Sequence, residues 1–306
     1  MPQQRRPPFV IADASVPAGK RLKIELPIAR LMSGTPVALP LLVFHGRRDG
    51  PTIWLSAAVH GDELCGVEIV RQVVGELDPP SMMGTVIAIP VVNVHGFNTG
   101  DRYLPDRRDL NRSFPGSARG SLAARIANLL MTEVVSRCTG GIDLHTGSGH
   151  RTNLAQIRAD LDDPETLALA QTFAAPITIH SRTRDGSLRQ AATEQGATVL
   201  LFEGGEAFRF DRATVNTGRD GTLRVLSELG IIPAAAPPAA KTLISRQSHW
   251  VRAAKSGVLH LDVDLGGRVD EGETIATIVD PYGKQLSRLR ARKTGIVIGH
   301  TQHPLV

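Results

Sequence analysis

The spacing of apolar residues changes period several times along the chain. Leu22–Leu26 alternates and Val37–Phe44 is largely apolar, so the first ~45 residues read as a β-rich lead-in. Thr52–Val59 (TIWLSAAV) is short and almost wholly apolar, as expected of a strand buried on both faces. His60-Gly61-Asp62-Glu63 follows at once. Leu64, Val67, Val70, Val74 and Leu77 then recur at helical spacing, and Asp62 is the expected N-cap. Thr85–Val92 predicts another buried strand, in which Pro90 marks the end of pairing. Residues 93–120 are rich in Gly, Pro, Asn, Asp and Arg and carry neither period; a stretch that long inside a compact domain is usually functional. Helices are expected over Ser121–Arg137, Leu167–Phe173, Leu188–Gln195 and Thr214–Leu229, and strands over Gly141–Leu144, Ile177–Ile179 and Thr198–Phe202.

Strands alternating with helices predict an α/β layer fold around a mixed, largely parallel sheet. Residues 1–232 form the expected main domain. Pro233–Ala240 (PAAAPPAA) reads as a semi-stiff linker within 233–242, and residues 243–306, short β segments broken by glycine, as a small all-β domain.

Composition narrows the function classes. Apolar residues at 42% and charged residues at 21% suit a soluble globular protein. No apolar run approaches the ~18 residues that span a bilayer, and the basic N-terminus lacks the apolar core of a signal peptide. Two cysteines, Cys65 and Cys138, suit a reducing compartment, so a cytoplasmic location is expected. The formal charge is +5, and only six of the 35 basic residues are lysine. The arginines are scattered and aromatics are 4%, so neither a nucleic-acid nor a membrane partner is expected.

The candidate chemistry follows the predicted strands. His60, Glu63, His145 and Glu203 each fall directly after one, where sites form in open α/β sheets. Two histidines and a glutamate are the protein ligands of a catalytic zinc with one position left open, which predicts one zinc per chain at His60, Glu63 and His145. Taken alone, H-x-x-E is more often a surface pair. Asp143, two residues before His145, shares its strand face; it either orients the imidazole or caps the strand end. Phe202-Glu-Gly-Gly-Glu206 offers two candidates for the general base, and Glu203, directly after the apolar strand, is preferred over Glu206. In the segment NVHGFNTGDRYLPDRRDLNRSFPG, Arg102 suits oxyanion stabilisation, while Asn111 and Arg112 suit a substrate carboxylate. The competing expectation is a solvated loop whose arginines pair with Asp101, Asp106 and Asp109; it is preferred for Arg107 and Arg108. Asp109 is a candidate to orient a functional arginine.

The order HGDE, N-x-x-G-F, R…D-L-N-R-x-F-P-G, D-L-H-T-G and E-G-G, covering roughly residues 50–210, resembles the succinylglutamate desuccinylase/aspartoacylase family, which belongs with the zinc carboxypeptidases. The resemblance implies zinc at His60, Glu63 and His145, Glu203 as general base, Arg102 polarising the carbonyl, and Asn111 and Arg112 on a carboxylate. It also implies a mixed sheet flanked by helices with a C-terminal β domain. Gly186-Ser-Leu-Arg189 looks like a further family motif and adds Arg189 as a substrate-binding candidate.

Residues 248–300 resemble half of a biotinyl/lipoyl-type sandwich without its modifiable Met-Lys hairpin, so no carrier role is expected. Related sequences run on beyond Pro304-Leu-Val306; the last hairpin is then incomplete or completed by another subunit, which admits a homo-oligomer. The activity expected is removal of an acyl group from a small carboxylate-bearing N-acyl amino acid. The alternatives are a zinc carboxypeptidase acting on peptides or cell-wall fragments, which shares the same residues, and a non-catalytic binding protein, whose signature would be a lost ligand or base; none is lost.

Overall fold

The computed structural model describes residues 6–306, so the first five residues of the basic N-terminus lie outside the described residues. A hairpin of β1 (Phe9–Ile11) and β2 (Ala14–Val16) leads into β3 (Lys20–Arg30), β4 (Pro36–His45) and β5 (Arg48–Ala57). There follow α1 (Cys65–Glu76), β6 (Met83–Ile89), α2 (Val94–Thr99), α3 (Leu122–Glu133), β7 (Gly140–Gly147) and β8 (Arg151–Ala159). Next come α4 (Pro164–Phe173), β9 (Ile177–His180), α5 (Leu188–Glu194), β10 (Thr198–Glu206) and α6 (Arg212–Glu228). The C-terminal strands are β11 (Leu243–Ser245), β12 (Val258–Leu261), β13 (Arg268–Val269), β14 (Thr274–Val279), β15 (Gln285–Arg290), β16 (Gly295–Ile296) and β17 (Gly299–Thr301).

Ten strands form one central sheet in the order β11-β9-β8-β10-β7-β5-β6-β4-β3, with β17 also on β8. β6, β5, β7 and β10 run parallel to one another, and β8 returns antiparallel against β10. The mixed, largely parallel sheet expected from the sequence is present. The strands at its centre carry almost no polar side chains outside the site because both faces are covered. On one face Leu55, Ile142, Leu144, Leu200 and Phe202 pack with Ile69 and Val73 of α1 and with Phe173 and Val215 of α4 and α6. On the other, Trp54, Ile87, Ile89 and Val199 pack with Ile126 and Leu130 of α3, Leu188 and Ala192 of α5, and the β1–β2 hairpin. Asp143, His145 and Glu203 belong to this second face, since side chains alternate along a strand.

Several elements differ from the sequence-based expectation. Within 93–120, Val94–Thr99 forms α2, with Asn93 Oδ1 accepting from Gly96 N at 2.8 Å. Asp62 does not cap α1: Leu64 occupies that position without a side-chain cap. A Cβ on Gly61 would lie 2.0 Å from Gly96 C, so the turn is pressed against the α2 backbone and Asp62 turns inward, where it is buried. No element was expected at 151–159, yet β8 is there, with Ala155, Ile157 and Ala159 alternating into the core. Beyond the Ala/Pro stretch, Leu243–Ser245 pairs with Ile177–Ile179 at the sheet edge, so this segment of 243–306 lies in the central sheet. β12, β14 and β15 form a separate three-stranded sheet, and β13 pairs with β16.

Candidate metal and active site

The site lies at the carboxyl ends of β5, β7 and β10. His60 and Glu63 occupy the turn after β5, held by Glu63 N donating to His60 O at 3.2 Å. His145 and Glu203 are not beyond their strands, as expected, but inside them near the carboxyl ends, paired in register across β7 and β10. The structure brings His60, Glu63 and His145 together, with one ligand atom from each within 4.8 Å of the others.

The buried Glu63 carboxylate lies between the two imidazoles. His60 Nδ1 is 2.7 Å from Oε1 and His145 Nδ1 is 2.7 Å from Oε2. Arg102 Nη1 donates to Oε1 at 3.1 Å and Thr146 N to Oε2 at 3.2 Å. Each imidazole is held from behind: His60 Nε2 by Asp109 Oδ1 at 3.1 Å, and His145 Nε2 by Asp143 Oδ2 at 2.8 Å. Asp143 is in turn fixed by Ser56 Oγ, which donates to Oδ1 at 2.7 Å. A carboxylate partner on Nε2 is the arrangement that directs the Nδ1 lone pair of an imidazole toward a metal.

The electrostatics fit a cation. Burial pushes the imidazoles of His60 and His145 toward neutrality. The carboxylates around them win, Glu63 and Asp109 at His60, Asp143 and Glu63 at His145, and both are raised above the ordinary histidine value. Burial opposes ionisation of Glu63 and Asp109 too, but the imidazoles, joined at Asp109 by Arg102 and Arg112, hold both well below the usual carboxylate range. The buried Glu63 and Asp143 and the partly buried Asp109 surround the two imidazoles and call for positive charge. A divalent ion binding at both Nδ1 atoms would supply it. The donor set, two imidazole nitrogens and a carboxylate, suits zinc.

The arginine segment is split. Arg102 reaches the cluster, bonding Glu63 and also Asp109 Oδ2 at 3.4 Å. Asn111 is buried and its Oδ1 accepts from Leu188 N at 2.9 Å, which ties the segment to the start of α5. Arg112 donates Nη1 to the Asn111 carbonyl. Burial lowers the Arg112 pKa first; Arg184 and Arg102 add to this against the pull of Asp109. Arg108 pairs with Asp106 at 3.4 Å in solvent. Asp109 faces both His60 and Arg102. Arg189 is buried on α5, its Nη2 donating to Arg182 O at 2.7 Å while Nη1 has no partner among the described residues. Glu206 lies at the end of β10, 3.8 Å from Arg209. Glu203 accepts a hydrogen bond from Asn153 and forms an ion pair with Arg158, both of β8, residues that no motif singled out; the strand's own signal was the alternation Ala155, Ile157, Ala159.

The fold is that of the product-bound ectoine utilization protein EutE (DoeB) from Ruegeria pomeroyi, with TM-score 0.85 at 24% identity over 95% of this chain and 94% of that one. The chain belongs to the succinylglutamate desuccinylase/aspartoacylase family, whose catalytic-domain model matches residues 49–229, and so stands among the deacylating hydrolases. It is 30% identical, over 97% of its length and 91% of the relative's, to the N-alpha-acetyl-L-2,4-diaminobutyric acid deacetylase of Halomonas elongata. A succinylglutamate desuccinylase/aspartoacylase from Rhodobacter sphaeroides superposes with TM-score 0.83 at 29% identity, covering 94% of this chain and 92% of that structure. Among the described residues no helix is long and apolar enough to cross a membrane.

Proposed function

We propose that the chain is a cytoplasmic zinc-dependent hydrolase that removes the acyl group from a small N-acyl amino acid. The observation that carries this reading is the pair of Nδ1 atoms on Glu63, each imidazole backed by its own aspartate. Zinc bound by His60, Glu63 and His145 would lower the pKa of water and polarise the acyl carbonyl. The remaining work falls to the chain. Arg102, beside Glu63, donates to the oxygen on which negative charge develops. Glu203 takes a proton from the attacking water and returns it to the departing amine, so an amide and water become a carboxylate and an amine. Asn111 and Arg112 hold the substrate carboxylate, with Arg189 as a further donor.

The relative from Halomonas elongata is named for an Nα-acetylated diamino acid. That compound is the first substrate to try in a panel of acetyl, succinyl and longer N-acyl amino acids. The purified protein should contain about one zinc per chain, because three protein ligands suffice for such a site, and His145→Ala should lose both metal and hydrolysis. Full zinc occupancy in that variant, read by elemental analysis, would reject the ligand set.

A further inference from the structure

Among the described residues, Glu203 is held at one oxygen only. Asn153 Nδ2 donates to Oε2 at 2.9 Å, and Arg158 Nη2 stands 3.2 Å from the same atom. Both residues come from β8, the strand that pairs with β10 on the side away from His145. Glu203 is paired with His145 on one side and Gln156 on the other, and paired residues on neighbouring strands share a face. The carboxylate therefore stands in one row with a cluster imidazole. The last torsion of a glutamate is broad and nearly free. A hydrogen bond from Asn153 and the charge of Arg158, both on Oε2, restrict that freedom and leave Oε1 to meet whatever binds at the cluster.

The Asn153 amide is itself seated from outside the main domain. β17 pairs Gly299 with Asn153, and a Cβ at position 299 would lie 2.6 Å from Asn153 Oδ1. The amide occupies the space that glycine leaves. Gly299 lies outside the left-handed region, so alanine suits its backbone; the Asn153 side-chain oxygen is the closest obstacle, and the Thr152 carbonyl oxygen, 3.2 Å away, is the next.

We propose that Asn153, seated by Gly299 and assisted by Arg158, is a positioning residue that fixes Glu203 Oε2 so that proton transfer with the attacking water runs through Oε1. The inference rests on Glu203 being the base. It gives the C-terminal chain a part in the reaction through β17.

The test compares kcat, KM, zinc content and thermal midpoint of the zinc-loaded enzyme with those of five variants: Asn153→Leu, Asn153→Ala, Gly299→Ala, the Gly299→Ala/Asn153→Ala double variant, and Glu203→Gln. Misplacing a reacting group by about an ångström costs up to ~10²-fold. Asn153→Leu and Gly299→Ala should therefore lower kcat about ten- to a hundredfold, with KM and zinc content kept. Alanine at 153 removes the closest obstacle, so Gly299→Ala should lower kcat no further on that background, whatever the Thr152 carbonyl adds to the thermal midpoint; a purely structural role would lower kcat again. Wild-type kcat in Asn153→Leu or in Gly299→Ala, beside a Glu203→Gln protein that has lost most of its own, would overturn the positioning role and leave the base in place. Near-normal turnover in Glu203→Gln would overturn the base assignment, and this inference with it.

Discussion

Arg102 and Arg112, ten residues apart, sit in different electrostatic settings. Burial opposes the charge of Arg102, but Glu63 and Asp109 outweigh it and raise its pKa, so its charge is already balanced inside the cluster. Arg112 has Asp109 nearby as its attractive acid but shares it with Arg102, and Arg184 repels it. Among the described residues its guanidinium makes one hydrogen bond, to the Asn111 carbonyl of its own loop. An incoming carboxylate would relieve that repulsion, whereas at Arg102 it would compete with Glu63. Arg112→Ala should therefore raise KM for carboxylate-bearing substrates by about ten- to a hundredfold, the size of a lost charge-assisted bond of ~1.5–3 kcal/mol. Arg112→Lys should recover part of this, since a point charge remains without the planar fork. An Arg112→Ala enzyme with unchanged kcat and KM on its best substrate would remove Arg112 from the site. The residues the structure gathers into the cluster were visible in the sequence because a strand followed by a tight turn fixes His60 against Glu63, and a two-residue step puts Asp143 on the face of His145. Asn153, Arg158 and Ser56 were not visible. They reach the site through strand register, and register is set by pairings far apart in the chain.

At the scale of the element, the strand that carries Asp143 and His145 is placed by a missing side chain. Gly141, Asp143 and His145 alternate onto one face of β7. Gly141 pairs with Trp54 of β5, and a Cβ there would come within 2.1 Å of the indole ring atoms Cδ2 and Cε2. The indole is fully buried among Ile87, Val199 and the α3 side chains, so it cannot step aside. Gly141→Ala should cost about 1–3 kcal/mol, the usual range for overpacking a filled core. Zinc affinity should fall with stability, because a β7 pushed off β5 moves Asp143 away from Ser56. Denaturant unfolding gives the first quantity and metal competition the second; an unaltered midpoint would show that the indole has room. Sequence period located β5, β6, β7 and β10 because buried parallel strands are continuous apolar runs. It missed β8 because a bulge interrupts the strand between Asn153 and Gln156, and the polar Asn153, Gln156 and Arg158 break up the apolar alternation. It also missed α2, whose six residues are too few to show a helical period.

The whole molecule is tied together by strands from its last third. After the Ala/Pro stretch the chain returns twice to the central sheet, as β11 beside β9 and as β17 beside the first half of β8. The C-terminal end pairs with the small sheet as well: Gly257 and Val306 exchange backbone hydrogen bonds of 2.9 and 3.0 Å, and Leu259 N donates to Pro304 O at 2.7 Å. If β17 leaves β8, Asn153 loses its backing and the fully buried Gln156 loses the shelter of the Ile298 carbonyl. The C-terminal strands and the catalytic sheet should therefore unfold as one unit, although the sequence suggests two domains joined by a linker. The two tryptophans of the chain report on the two parts. Trp54 is fully buried between β5 and α3, whereas Trp250 is 57% exposed and stacks on Arg151 of β8 with 5.5 Å from the guanidinium carbon to the ring centre. Trp250→Phe leaves Trp54 as the fluorophore, and Trp54→Phe leaves Trp250. Each variant is compared with its own circular-dichroism curve, so the stability lost by replacing Trp54 does not enter. In both, fluorescence and circular dichroism should give the same midpoint, as coincident probes do in a cooperative transition. A Trp250 signal that melts before the secondary structure of its own variant would show that the C-terminal part detaches first, and that β17 is a loose edge.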